Sequence, residues 1–137
     1  MEPADPRRPT AVPGAVVRAL SAGNGAGRIA LGLGLMVAPE RALEVLGFPD
    51  AGPGAVVISR IAGVRDIVLG VNTILALNDP VRLRAASLAN AGADAGDALT
   101  FSLALGGDSD LAAKRGVAAA VPAALASIWA ARRLNQG

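Results

Sequence analysis

Residues 55–77, AVVISRIAGVRDIVLGVNTILAL, are long and apolar enough to cross a bilayer, yet they contain Arg60, Arg65 and Asp66. Charges inside such a span are costly and usually face a bundle interior, where they pair or carry function. A second segment, residues 82–105, supplies countercharges in Asp94 and Asp97. The two segments together predict an all-α chain, a four-helix transmembrane bundle of antiparallel up-down topology with a buried Arg/Asp cluster.

The residue inventory narrows the chemistry before any geometry is known. The chain has 137 residues, which is one domain. It contains no His and no Cys, which excludes imidazole or thiolate metal sites, disulfides, and Ser-His or Cys-His catalysis. A net charge of +2, with 2% aromatic residues and arginines scattered along the chain, gives no footprint for nucleic acid. Neither a cofactor nor a metal is expected. Carboxylates, guanidinium groups, hydroxyls and amides remain as the working groups. The heavy use of Ala, Gly and Arg suggests a GC-rich bacterial source.

Proline and glycine punctuate the rest. Residues 1–13, with four prolines, read as a flexible tail. The apolar run from Ala11 to Val17 is at the lower length limit for a signal-peptide core, contains Pro13 and ends at Arg18, so no cleaved signal is expected. One domain of four helices then occupies residues 14–134, with helices over about 15–38, 55–77, 82–105 and 111–133. The first helix is rich in glycine, which in water costs about 1 kcal/mol per residue relative to Ala. In a membrane, small residues such as Gly23 and Gly27 let helices approach closely. A phosphate-cradling loop is the other use of such a run, but no strand precedes it. Residues 39–54 form a short amphipathic piece, with Leu43, Leu46 and Phe48 expected against the membrane interface, and then a turn. Pro122 is expected to kink the fourth helix.

No window reaches the roughly 18 charge-free apolar residues of an unambiguous span. The longest run in the fourth segment, Gly116 to Ala131, covers 16 residues. Two patterns nevertheless favour a membrane over a soluble bundle. Arginines dominate alternate ends of the segments (Arg7 and Arg8, Arg82 and Arg84, Arg132 and Arg133), as four spans with both termini cytoplasmic require. Trp129 stands where an interfacial belt would place it. A soluble bundle also needs a polar stripe on every helix, and Ile67–Leu77 and Val117–Ala131 offer almost none. The expected location is the cell membrane, with the lipid bilayer as the principal partner.

Antiparallel neighbours bring residues to equal depth when their numbers add to a nearly constant value. This predicts Arg60 opposite Asp97 and Arg65 opposite Asp94. Asn90, Asp94 and Asp97 share one helical face, with Gly92 and Gly96 nearby to admit a neighbouring helix. Arg28 lies at a similar depth on the first helix. Arg28, Arg60 and Arg65 would then balance Asp66, Asp94 and Asp97, as a low dielectric demands. Such pairs have two uses. They can simply hold helices in register, or Asp97 and Asp94 can act as acid and base on a small lipophilic molecule while Arg28, Arg60, Arg65, Asp66 and Asn90 bind and orient it. Isomerisation, epoxide opening and cyclisation are reactions of that type.

The segment Arg60-Ile-Ala-Gly63-Val-Arg65-Asp66-Ile-Val-Leu-Gly70 resembles the central motif of domain-of-unknown-function family 4267, small four-helix membrane proteins of bacteria and fungi. Gly96-Asp97-Ala98-Leu99 is similar to that family's third-helix motif, and Leu31 to Pro39 followed by Leu46-Gly-Phe-Pro49 to its first helix and loop. The likeness covers roughly residues 25–131. It implies a polar core of Arg65, Asp66 and Asp97, and it brings no activity with it. Arg28 and Asp94 lie outside those motifs.

Overall fold

A computed structural model describes residues 14–107 and 110–135, so the N-terminal tail reading falls outside the described residues. They are all helical or in connections. In chain order the helices are α1 (Ala15–Val37), α2 (Pro39–Leu46), α3 (Pro53–Ala76), α4 (Pro80–Leu103) and α5 (Asp110–Arg133). The expected second, third and fourth helices are α3, α4 and α5. Prolines set three of the starts, because a residue without an N–H fits the first turn, where that group has no helical partner. Pro39, Pro53 and Pro80 open α2, α3 and α4. Asp79 caps α4 by accepting from the backbone N–H groups of Val81 and Arg82, both at 3.0 Å. Gly47 ends α2 with φ of 102°, in the left-handed region that favours glycine. Pro122 lies inside α5, which continues through it.

Packing is dense within two antiparallel pairs, α1 with α3 and α4 with α5, and sparse between the pairs. The first pair is a seam of small and polar residues. On α1 the buried positions include Ser21, Gly25, Arg28, Gly32 and Leu35, and on α3 Ser59, Gly63, Asp66, Gly70 and Thr73. Both sets alternate steps of four and three, the period of two helices wound together. Gly25 faces Gly70 and Gly32 faces Gly63. A Cβ on Gly70 would come within 2.5 Å of the Gly25 carbonyl oxygen, and one on Gly63 within 2.8 Å of that of Gly32. The glycines singled out by sequence, Gly23, Gly27, Gly92 and Gly96, instead face open space. They lie off the seam, and a lone G-x-x-x-G spacing does not reveal which helical face meets a partner.

The outward faces carry the large apolar side chains. Val57, Ile61, Val68 and Leu75 of α3, Leu20 and Val37 of α1, Leu99 and Leu103 of α4, and Leu111 and Leu125 of α5 are all more than half exposed. The interior consists mostly of serines, glycines, alanines and charged groups, with Val17, Leu35, Leu43 and Leu83 as its larger apolar members. Among the described residues one helical segment, Leu111–Arg133, is long and apolar enough to cross a membrane by length and composition. At the end where α1 and α4 begin and α3 and α5 finish, Arg18 donates to Asn78 Oδ1 at 2.7 Å, and the Arg133 guanidinium lies 5.6 Å from the Trp129 ring centre. A small core of Ala76, Leu83 and Ala86, packed by Leu77 and Leu134, closes that same end.

Candidate functional site

Halfway along the seam, Arg28 sits between Gly25 and Gly32, and Asp66 between Gly63 and Gly70. The glycines bring the two backbones close, and the charges meet at the point of approach. Arg28 Nη1 donates to Asp66 Oδ1 at 2.7 Å, Nη2 donates to Asp94 Oδ1, and Nε donates to Asn24 Oδ1 at 3.2 Å. Arg28, Asp66 and Asp94 are all buried. Arg28 thus joins three helices, because its long side chain crosses the space that sparse packing leaves between α1 and α4.

The second part of the cluster is wetter. Arg65 Nη1 and Nη2 donate to Asp97 Oδ1 and Oδ2 at 2.8 and 2.7 Å, a fork-to-fork pair. Their side chains retain 39% and 34% of their exposure. Arg65 Nη2 also approaches Asp66 Oδ1 at 3.5 Å, which links the two halves.

Four corrections to the sequence reading follow. Asp97 is paired with Arg65 and not with Arg60. Asp94 is paired with Arg28 and not with Arg65. Arg60 is exposed and takes no part in the cluster. Asn90 is buried, but it donates to Thr73 Oγ1 at 2.9 Å, away from the cavity, and Thr73 in turn donates to the Leu69 carbonyl at 2.8 Å. The register of α3 on α4 differs by about one helical turn from the expected one. Equal-depth counting assumes helices packed face to face, and α3 and α4 touch only lightly. Arg28 reaches across from α1 and takes Asp94.

A cavity of about 700 Å³ opens beside the cluster. Arg28, Arg65, Asp66, Asp94, Asp97 and Asn24 form its polar end, and Leu31, Leu35, Ile58, Ala62, Phe101 and Ala123 are among its apolar walls. Its size is that of pockets for small organic molecules. Leu43, Leu46 and Phe48 of the α2 region line it too, where a membrane-interface position was expected. Arg115 of α5 also lines it, but is exposed and donates to the Val45 carbonyl at 3.3 Å. Sequence reasoning missed Asn24 and Phe101. Asn24 stands four residues before Arg28, hence on its face of the helix, and that spacing was the available signal. Nothing in the sequence marks Phe101.

Among the described residues no group of His, Cys, Asp and Glu is arranged to hold a metal ion. Two buried oxygens, Asp94 Oδ2 and Asn90 Oδ1, and one nitrogen, Arg65 Nε, have no hydrogen-bond partner among the described residues. No family model, no curated protein and no solved structure matches the chain.

Proposed function

We propose that this chain is a small multi-pass membrane protein that takes a lipophilic molecule into the cavity between its two helix pairs and acts on it by acid–base chemistry. One observation carries the reading: an apolar cavity ends on a buried carboxylate, Asp94, that keeps one oxygen uncommitted. Asp97, held at both oxygens by Arg65, is the second carboxylate of the pair. Asp94 is therefore the better placed of the two to exchange a proton with a ligand, and the arginines stand ready to stabilise developing negative charge. Isomerisation, epoxide opening and cyclisation remain the matching reaction types.

The membrane part of the proposal rests on the inside-out distribution of side chains. Lipid wets large apolar groups and offers helices no hydrophobic drive to associate, so small and polar residues make the contacts. In this reading α1, α3, α4 and α5 are the four spans, α2 caps one end, and the arginine-rich end, with both termini, faces the cytoplasm. The likeness of the Arg60–Gly70 and Gly96–Leu99 segments to domain-of-unknown-function family 4267 agrees with a bundle of this kind.

A second reading has its own observation. Arg28 and Asp66 sit inside the glycine seam, and a protein using its charges only for helix register needs no more than that. Purification from membranes in detergent, followed by organic extraction and mass spectrometry, separates the two. The proposal expects a molecule bound in stoichiometric amount and lost in the cavity-filling variant Ala62→Phe. Extracts holding only bulk lipid in both proteins would leave the register role alone. Recovery of the chain in the soluble fraction after detergent-free lysis would defeat the membrane assignment.

A further inference from the structure

Within the cluster two cations, Arg28 and Arg65, face three carboxyl groups, Asp66, Asp94 and Asp97. The exposed Arg60, which would have balanced them, is elsewhere. Arg115 of α5 shares the cavity, but it is exposed and turned to a backbone carbonyl of α2. The interior is therefore one positive charge short, in surroundings where an uncompensated charge is costly. The three carboxyl groups are not alike. Both oxygens of Asp97 and one of Asp66 accept from arginines, and Asp66 Oδ1 receives two of these contacts. Asp94 is 6% exposed, and its Oδ2 is buried without a partner among the described residues. Asn90 Oδ1, one turn earlier on the same helix, is buried and unpartnered as well. Two acceptor oxygens at neighbouring positions lack a hydrogen, and the cluster lacks a positive charge. One proton supplies both.

We infer that Asp94 carries a proton on Oδ2, and that the cavity selects neutral lipophilic molecules with a hydrogen-bond-accepting oxygen, such as a ketone or an epoxide, over amines and carboxylic acids. This rests on the cavity being a ligand site, and it assigns the acid of the acid–base pair. With Asp94 neutral, the cluster holds Arg28 and Arg65 against Asp66 and Asp97, and charge is balanced. At rest the O–H of Asp94 is enclosed and serves Asn90 Oδ1, with Oδ1 held by Arg28, and a ligand oxygen takes that hydrogen when the carboxyl group turns toward the cavity. A ligand carboxylate would restore the excess negative charge. An ammonium group could pair with Asp94 only by displacing that proton, which would leave the buried Asn90 Oδ1 without a donor.

The first test needs no ligand. Infrared spectroscopy of the full chain in lipid bilayers at neutral pH should show the carbonyl stretch of a protonated, buried carboxyl group, shifted to lower frequency in heavy water. The band should vanish in Asp94→Asn, persist in Asp97→Asn, and move in frequency in Asp94→Glu, which keeps the acid should Asp94→Asn fail to insert. Absence of the band from the wild-type protein, or its loss with Asp97→Asn and survival in Asp94→Asn, overturns the inference whatever the cavity binds. The second test compares menthone with menthylamine, which share a carbon skeleton. Menthone should bind roughly tenfold more tightly and shift the band, with the preference lost in Asp94→Asn. Equal binding of both probes overturns the ligand class while the cavity stands as a site. A band with neither probe binding, alongside clean organic extracts, removes the site itself and the ligand class with it.

Discussion

Gly32 of α1 lies so close to α3 that a Cβ added to it would stand 2.5 Å from the Gly63 carbonyl oxygen and 3.0 Å from the Ile67 nitrogen. Both atoms belong to backbone, which cannot turn aside as a side chain can. Gly32→Ala should therefore push the two helices apart and cost about 1–3 kcal/mol, the range for overpacking a filled interior. Gly34→Ala, where nothing lies within 4 Å, is the control and should be neutral or slightly stabilising. Thermal unfolding in detergent, followed by circular dichroism, distinguishes them. Equal effects at the two positions would mean that the seam is not tight.

Arg28 holds two buried carboxyl groups at once, so Arg28→Met strands both. A loss of about 3–5 kcal/mol is expected, as for breaking a buried ion pair by removing one partner. Adding Asp66→Leu to Arg28→Met should recover part of that loss, because an apolar pair replaces the stranded carboxylate. The recovery is the decisive measurement, and an additive double mutant would show that the two residues do not depend on each other.

The Arg65–Asp97 pair is half exposed and should behave differently. Asp97→Asn is expected to cost at most about 1 kcal/mol of stability, since solvent screens the pair. A cost matching that of Asp66→Asn would place Asp97 in drier surroundings than its exposure indicates.

Gly116 of α5 lies under the ring of Phe101, and an added Cβ would collide with it. Because Phe101 is a cavity wall, Gly116→Ala should displace the ring at modest cost in stability and lower the amount of co-purifying lipophilic molecule. Unchanged recovery of that molecule would mean that Phe101 does not shape the bound volume.

Asp79 tests the capping geometry. Asp79→Ala should cost about 1 kcal/mol and Asp79→Ser much less, because Ser can still accept from the first-turn N–H groups of α4. Denaturant midpoints of the two variants give the comparison.

The helices were legible because their ends are written in proline, glycine and Asp79, and local rules govern those residues. The expected spans agree with α1, α3, α4 and α5 to within a few residues. The buried charges were legible too, since an ionised group in an apolar run has few places to go. Their partners were not. Pairing depends on which helices pack tightly, and the decisive glycines, Gly25, Gly32, Gly63 and Gly70, read as four among 17. Seen with hindsight, GAGRIALG at residues 25–32 and GVRDIVLG at residues 63–70 share their spacing and place Arg28 and Asp66 at the same position. Arg60 misled because equal depth says nothing about which way a helix is turned.

The division into two tight pairs has a mechanical consequence. Among the described residues, the hydrogen bonds that join α1–α3 to α4–α5 include Arg28 to Asp94, Arg65 to Asp97, and Asn90 to Thr73. In a bilayer, swinging one hairpin from the other uncovers little that acyl chains cannot wet, so resistance to opening resides in those polar clasps. Any guest that loosens a clasp also widens its own doorway.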